Sequence, residues 1–112
     1  MKNDFIYLRD IIEAVEVIEY YLDGVDIELF ENHKMTQDAV IRQIAIIGEA
    51  IGRISNKITN LYPQLPVKQS VAMRNILVHD YDWIDVEEVW KTTHNDLPKL
   101  KRIVKKILRE NE

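Results

Sequence analysis

Apolar residues recur along this chain at steps of three and four, the spacing that gathers them on one side of an α-helix. Phe5, Leu8, Ile11, Ile12, Val15, Ile18 and Leu22 mark a first helix from Asp4 to about Asp23, and Gly24 stands where a left-handed C-cap belongs. Val25 to Lys34 has no sustained period and reads as a connecting loop with Phe30 tucked inward. Thr36 is placed to cap a second helix, with Asp38 in its first turn. Val40, Ile44, Ile47, Ile51, Ile54, Ile58 and Leu61 then step by 4, 3, 4, 3, 4 and 3. That seam predicts one long helix packed along another at about +20°. Beside it Ala45, Gly48, Gly52 and Ser55 are small. Glycine costs about 1 kcal/mol against alanine inside a helix, so two glycines four apart point to a close backbone neighbour.

Tyr62-Pro63-Gln64-Leu65-Pro66 ends the second helix, because a proline disfavours helix in the residue before it. A third helix follows from Val67 to Val78, ending near His79, and Asp80 to Ile84 reads as a turn. Asp85 and Glu88 have the spacing of a capping box that opens a short helix carrying Val86, Val89 and Trp90. Asn95-Asp96-Leu97-Pro98 restarts the chain, and a last helix presents Leu97, Leu100, Ile103, Val104, Ile107 and Leu108. No segment alternates with period two, so strands are not required. The expected architecture is all-α: an antiparallel up-down bundle of four main helices plus one short helix. Residues 1–112 form a single domain, long enough to bury a core without disulfides or metals.

Composition narrows the class. No stretch of eighteen apolar residues and no signal-peptide pattern is present, so a soluble, cytoplasmic chain without a membrane partner is expected. The absence of cysteine excludes thiolate chemistry. A net charge of −4 argues against unspecific coating of nucleic acid. The charge is uneven, however: from Lys91 onward seven cations face three anions, which leaves a net −8 on the first ninety residues. The basic terminal helix is either a solvated face or a surface for phosphate or an acidic protein.

Candidate chemistry concentrates in Met73-Arg74-Asn75-Ile76-Leu77-Val78-His79-Asp80-Tyr81. On an ideal helix Arg74 and His79 stand about 140° apart and about 7.5 Å along the axis, so they do not share a face. Asn75 and His79 do, and the amide could orient the imidazole. One chain thus offers a single well-placed histidine, whereas acid–base cleavage of RNA prefers two. A two-fold dimer meeting along this helix would supply two imidazoles and two guanidiniums. One histidine would take the proton of a ribose 2′-hydroxyl, the other would protonate the leaving 5′-oxygen, and arginine would hold the charged phosphorane. The plainer alternatives are an ion pair for Arg74 and a helix-end role for His79. Asp80, Asp82 and Asp85 read as capping and solvated residues rather than metal ligands, and His33 and His94 as structural or surface residues.

The nine-residue stretch resembles the Arg-x4-His-x-Tyr motif of HepT-like proteins, the HEPN toxins encoded beside minimal nucleotidyltransferase antitoxins. Arg9-Asp10, Gln37 to Val40 with Arg42, Gly48-Glu49-Ala50, Tyr62-Pro63, Met73-Arg74-Asn75 and His79-Asp80-Tyr81 occur in the family's order. Val67 departs from it, since members often carry tryptophan after that proline. The resemblance implies a homodimeric HEPN domain that cuts RNA without metal or cofactor. Arg74 and His79 would be catalytic, and Asn75 would support them. Tyr81 would receive AMP from the partner nucleotidyltransferase, which alone would use ATP. Another reading is a non-catalytic HEPN module that binds nucleotide or RNA, or serves as the helical partner subunit of a nucleotidyltransferase.

Overall fold

Leu8, Ile11, Val15 and Ile18, each at most 2% exposed, are the buried stripe of helix α1 (Lys2–Tyr21). The computed structural model describes residues 2–80, 82 and 84–111, and among them there are helices and turns but no strand. In chain order α1 is followed by α2 (Ile27–Glu31), α3 (Lys34–Gly52), α4 (Asn56–Leu61), α5 (Val67–His79), α6 (Val86–Lys91) and α7 (Leu97–Glu110). The four main helices expected from the periodicity are α1, α3, α5 and α7. Helix α3 packs against both α1 and α5, and α7 packs against α1. None of the described helices is long and apolar enough to cross a membrane.

Two departures from the periodic pattern have local causes. The expected loop after Gly24 contains α2, because Asp26 caps it by accepting a hydrogen bond from the Leu29 N–H at 2.9 Å. Phe30 is fully buried as expected, its ring 5.2 Å from that of Trp90. The cap of α3 is His33 and not Thr36: the His33 Nδ1 accepts from the Thr36 N–H at 3.2 Å.

The second departure is the break between α3 and α4, where the isoleucine seam predicts one helix. Asp4, only 3% exposed, accepts from the Ser55 N–H at 2.8 Å and from its hydroxyl at 2.7 Å. The carboxylate draws Ser55 out of helical register, and α4 starts afresh. Ile54 and Ile58 remain buried across the break, but Leu61 has turned outward.

The small residues beside the seam mark the closest approach in the bundle. A Cβ on Gly48 would lie 2.5 Å from Arg74 Cβ and 2.7 Å from the Ser70 carbonyl oxygen, and one on Gly52 would lie 3.3 Å from Val71 Cγ2. As the chain advances along α3 it retreats along α5, so the two helices are antiparallel. Neither atom facing Gly48 is the free end of a flexible side chain. Gly48→Ala therefore meets an overpacking cost of about 1–3 kcal/mol, against about 1 kcal/mol of improved helix preference. A net stability loss of up to about 2 kcal/mol in urea unfolding is expected.

Helix α5 is the least enclosed of the long helices. Leu77 is its one fully buried residue, while Ile76 and Val78 are 46% and 47% exposed. Beyond it Asp85 caps α6 by accepting from the N–H groups of Glu87 and Glu88. The chain does not restart at Asn95: a π-helical turn, Thr92–Asp96, carries α6 directly into α7. Pro98 supplies no N–H to the helix ladder, and a widened turn just before it relieves the ring's contact with the preceding carbonyls.

Helix α7 runs antiparallel to α1. Lys101 bonds Glu19 at 2.8 Å and Glu16 at 3.5 Å, and the Tyr62 hydroxyl donates to Glu110 at 2.8 Å. The Lys101 ammonium is pushed above its ordinary pKa, chiefly by the bond to Glu19. Part of the basic run in the sequence is thus internal fastening.

Candidate active site

Because Gly48 has no side chain, Arg74 begins pressed against the backbone of α3, and its guanidinium reaches the next residue, Glu49. The Arg74 Nη2 to Glu49 Oε2 distance is 3.0 Å. The other carboxylate oxygen, Oε1, accepts from Arg53 Nη2 at 2.9 Å. On its far side Arg74 donates from Nη1 to the Asn75 amide oxygen at 3.0 Å. The Arg74 side chain remains 30% exposed. It is oriented by two partners, yet open to a ligand. A guanidinium has five N–H groups, so donors are left over for phosphate oxygens. The Arg53 guanidinium, beside the Tyr7 hydroxyl and Glu49, is pushed further above an already high pKa. Its charge is constant across the working pH range.

These groups line a groove of about 490 Å³ across α1, α3 and α5, formed by Tyr7, Asp10, Arg42, Ala45, Ile46, Glu49, Ala50, Arg53, Arg74 and Val78. His79 is absent from that lining. It is the last residue of α5 and is exposed. Among the described residues its ring has no hydrogen-bond partner, and Asn75, which could have oriented it, is turned to Arg74 instead. The structure pairs Asn75 with Arg74 and leaves His79 outside the groove: the separation of Arg74 from His79 agrees with the helical angle, whereas the expected Asn75–His79 pairing is not formed. Tyr81 lies outside the described residues, as does Trp83 of the expected turn.

The ion pair foreseen as the plainer role of Arg74 is present, and its carboxylate is on α3. The other two histidines have structural work: His33 caps α3, and the His94 ring lies 4.0 Å from Trp90. A second cavity, of about 340 Å³, lies between α3, α5 and α7 with mostly apolar walls such as Ile44, Ile47, Met73 and Leu100. Among the described residues its lining includes none of Arg74, Asn75 and His79.

Sequence reasoning gave no role to Glu49, Arg53, Arg42 or Tyr7. The position of Glu49 carried a usable signal: a residue following a contact glycine lies beside whatever that glycine admits. Arg42, Glu49 and Arg53 are also spaced by seven and four, which puts them along one side of a helix.

The profile of the family described as Ribonuclease HepT-like matches residues 11–107. A relative from Thermococcus cleftensis named "Probable ribonuclease HepT" is 44% identical over 95 residues, covering 85% of this chain and 86% of its own. A "Putative RNase" of Methanocaldococcus jannaschii is 43% identical over 99 residues, covering 88% and 90%. Another of that description, from Caldanaerobacter subterraneus, is 28% identical over the full length of both chains. No solved structure matches the chain.

Proposed function

The chain belongs to the ribonuclease HepT-like family, and on that footing we propose that it is the toxin of a toxin–antitoxin pair, a dimeric endoribonuclease of the cytoplasm that needs no metal. The observation that carries this reading is the state of α5. It presents an oriented, half-open guanidinium and, five residues on, an unencumbered imidazole, between which Ile76 and Val78 are left uncovered. Covering those side chains with a second copy about a two-fold axis would bring both His79 rings to one cleft.

In that cleft one imidazole removes the 2′-hydroxyl proton, and the oxygen attacks the adjacent phosphorus. Arg74 holds the equatorial oxygens as negative charge builds on them. The second imidazole delivers a proton to the departing 5′-oxygen. The products are a 2′,3′-cyclic phosphate and a free 5′-hydroxyl. Asn75 contributes by bonding Arg74, which makes it a positioning residue. Incubating the purified protein with labelled RNA in EDTA tests this chemistry: cleavage leaving a cyclic phosphate is expected. Cleavage that appears only on adding a divalent metal contradicts it, and binding without cleavage favours a non-catalytic RNA-binding module.

Silencing would act at Tyr81. A minimal nucleotidyltransferase antitoxin transfers AMP from ATP to the phenol oxygen and releases pyrophosphate. The added group brings bulk and negative charge two residues from His79, which obstructs RNA and repels its phosphates. Tyr81→Phe is expected to stay toxic when the antitoxin is co-expressed, read as growth arrest with no adenylylated species by mass spectrometry. Full neutralisation of that variant contradicts covalent silencing.

A further inference from the structure

We propose that the groove across α1, α3 and α5 is the track for single-stranded RNA beside the scissile phosphate, with Arg42 and Arg53 holding backbone phosphates and Tyr7 offering a surface for a base. The proposal rests on the ribonuclease reading and assigns where the substrate lies outside the reacting atoms. Three guanidiniums, Arg42, Arg53 and Arg74, line this one groove with the carboxylates of Asp10 and Glu49, a net positive charge on a chain whose total is −4.

Arg42 and Arg53 are eleven positions apart, which on a helix is about 16 Å of rise and nearly the same angular direction. Arg53 sits at the C-cap of α3, so both ends of the strip belong to one rigid element. That length exceeds one phosphate, as a track must. Glu49 ties Arg53 to Arg74, at 2.9 and 3.0 Å, and so couples the strip to the reaction centre without exhausting the donors of either arginine. Arg42 is exposed and makes no hydrogen bond or ion pair with any described residue, so its charge awaits an anion. Tyr7 supplies the aromatic face that, beside a cationic groove, recurs in sequence-tolerant single-strand binding.

The competing surface is the basic helix α7. It contributes no residue to the groove, and Lys101, near the middle of its basic run, is already bonded to Glu16 and Glu19 of α1.

The test uses the intact protein and a fluorescein-labelled RNA 12-mer with 2′-O-methyl sugars, which binds but lacks the attacking hydroxyl. Fluorescence polarisation is read at several salt concentrations. Arg42→Gln with Arg53→Gln should weaken binding about tenfold and flatten the plot of log affinity against log salt by about 0.7 for each lost contact. Arg42→Gln alone should show about half the change in slope; since it disturbs no partner, its fold is safe. Lys105→Gln with Lys106→Gln on α7 should bind as wild type does. Wild-type affinity and slope in the groove variants, or a loss confined to the α7 variant, overturns the proposal. If the wild type still cuts unmodified RNA in that event, the ribonuclease reading survives it. A wild type that neither binds nor cuts RNA removes both.

Discussion

His79→Ala is expected to slow RNA cleavage by about 10²–10⁴-fold, the usual worth of a positioned general acid or base, and to leave the protein folded. The separation of the two effects follows from where the residue sits. His79 is the exposed last residue of α5, without a partner among the described residues. A cation at a helix C-terminus contributes about 0.3–1 kcal/mol at most exposed sites, so the melting transition should barely move. The measurement is a single-turnover rate on labelled RNA beside a thermal melt. An undiminished rate removes His79 from the chemistry, and a collapsed melt would show that its role is structural.

Arg74→Ala is expected to lose about 10²–10³-fold in kcat, with a smaller change in KM, because charge on the phosphorane oxygens is greatest in the transition state. The structural cost should stay near 1 kcal/mol or below, the range of partly exposed ion pairs. Glu49 keeps its bond to Arg53 when Arg74 is gone, so no carboxylate is stranded. Arg74→Lys should restore little. A single ammonium cannot reach Glu49, Asn75 and a phosphate with the planar fork that the guanidinium provides. Equal losses in Arg74→Ala and a matched charge-removal variant at Lys105 would point to general electrostatics instead.

How much of this was legible in the sequence depended on whether one residue sufficed to decide a feature. The stripe of Leu8, Ile11, Val15 and Ile18 and the Asp85 cap needed only their own spacing, and both stand as read. Gly48 and Gly52 announced a close neighbour, and α5 is that neighbour. The break at Ser55 was not legible, because the group that causes it, Asp4, is 51 residues away in the chain. The π-helical turn was hidden for a related reason: Asn95 to Pro98 looks like a stop when only local preference is weighed, whereas the helix runs on through it with Thr92 and Thr93 buried. At the site, the angle between Arg74 and His79 was readable from helical geometry. The role of Glu49 was not, since it depends on α3 and α5 meeting at Gly48.

One consequence of that angle governs the rest: a single protomer separates its guanidinium from its imidazole, so two must be combined. Dimers built from one wild-type and one His79→Ala protomer, isolated through two different affinity tags, put this to the test directly. If one imidazole serves as base and the other as acid in a common cleft, the mixed dimer should be slowed by about 100-fold or more, close to the doubly substituted one. A mixed dimer that retains half of the wild-type rate would mean that each protomer cuts alone, and would contradict the shared cleft.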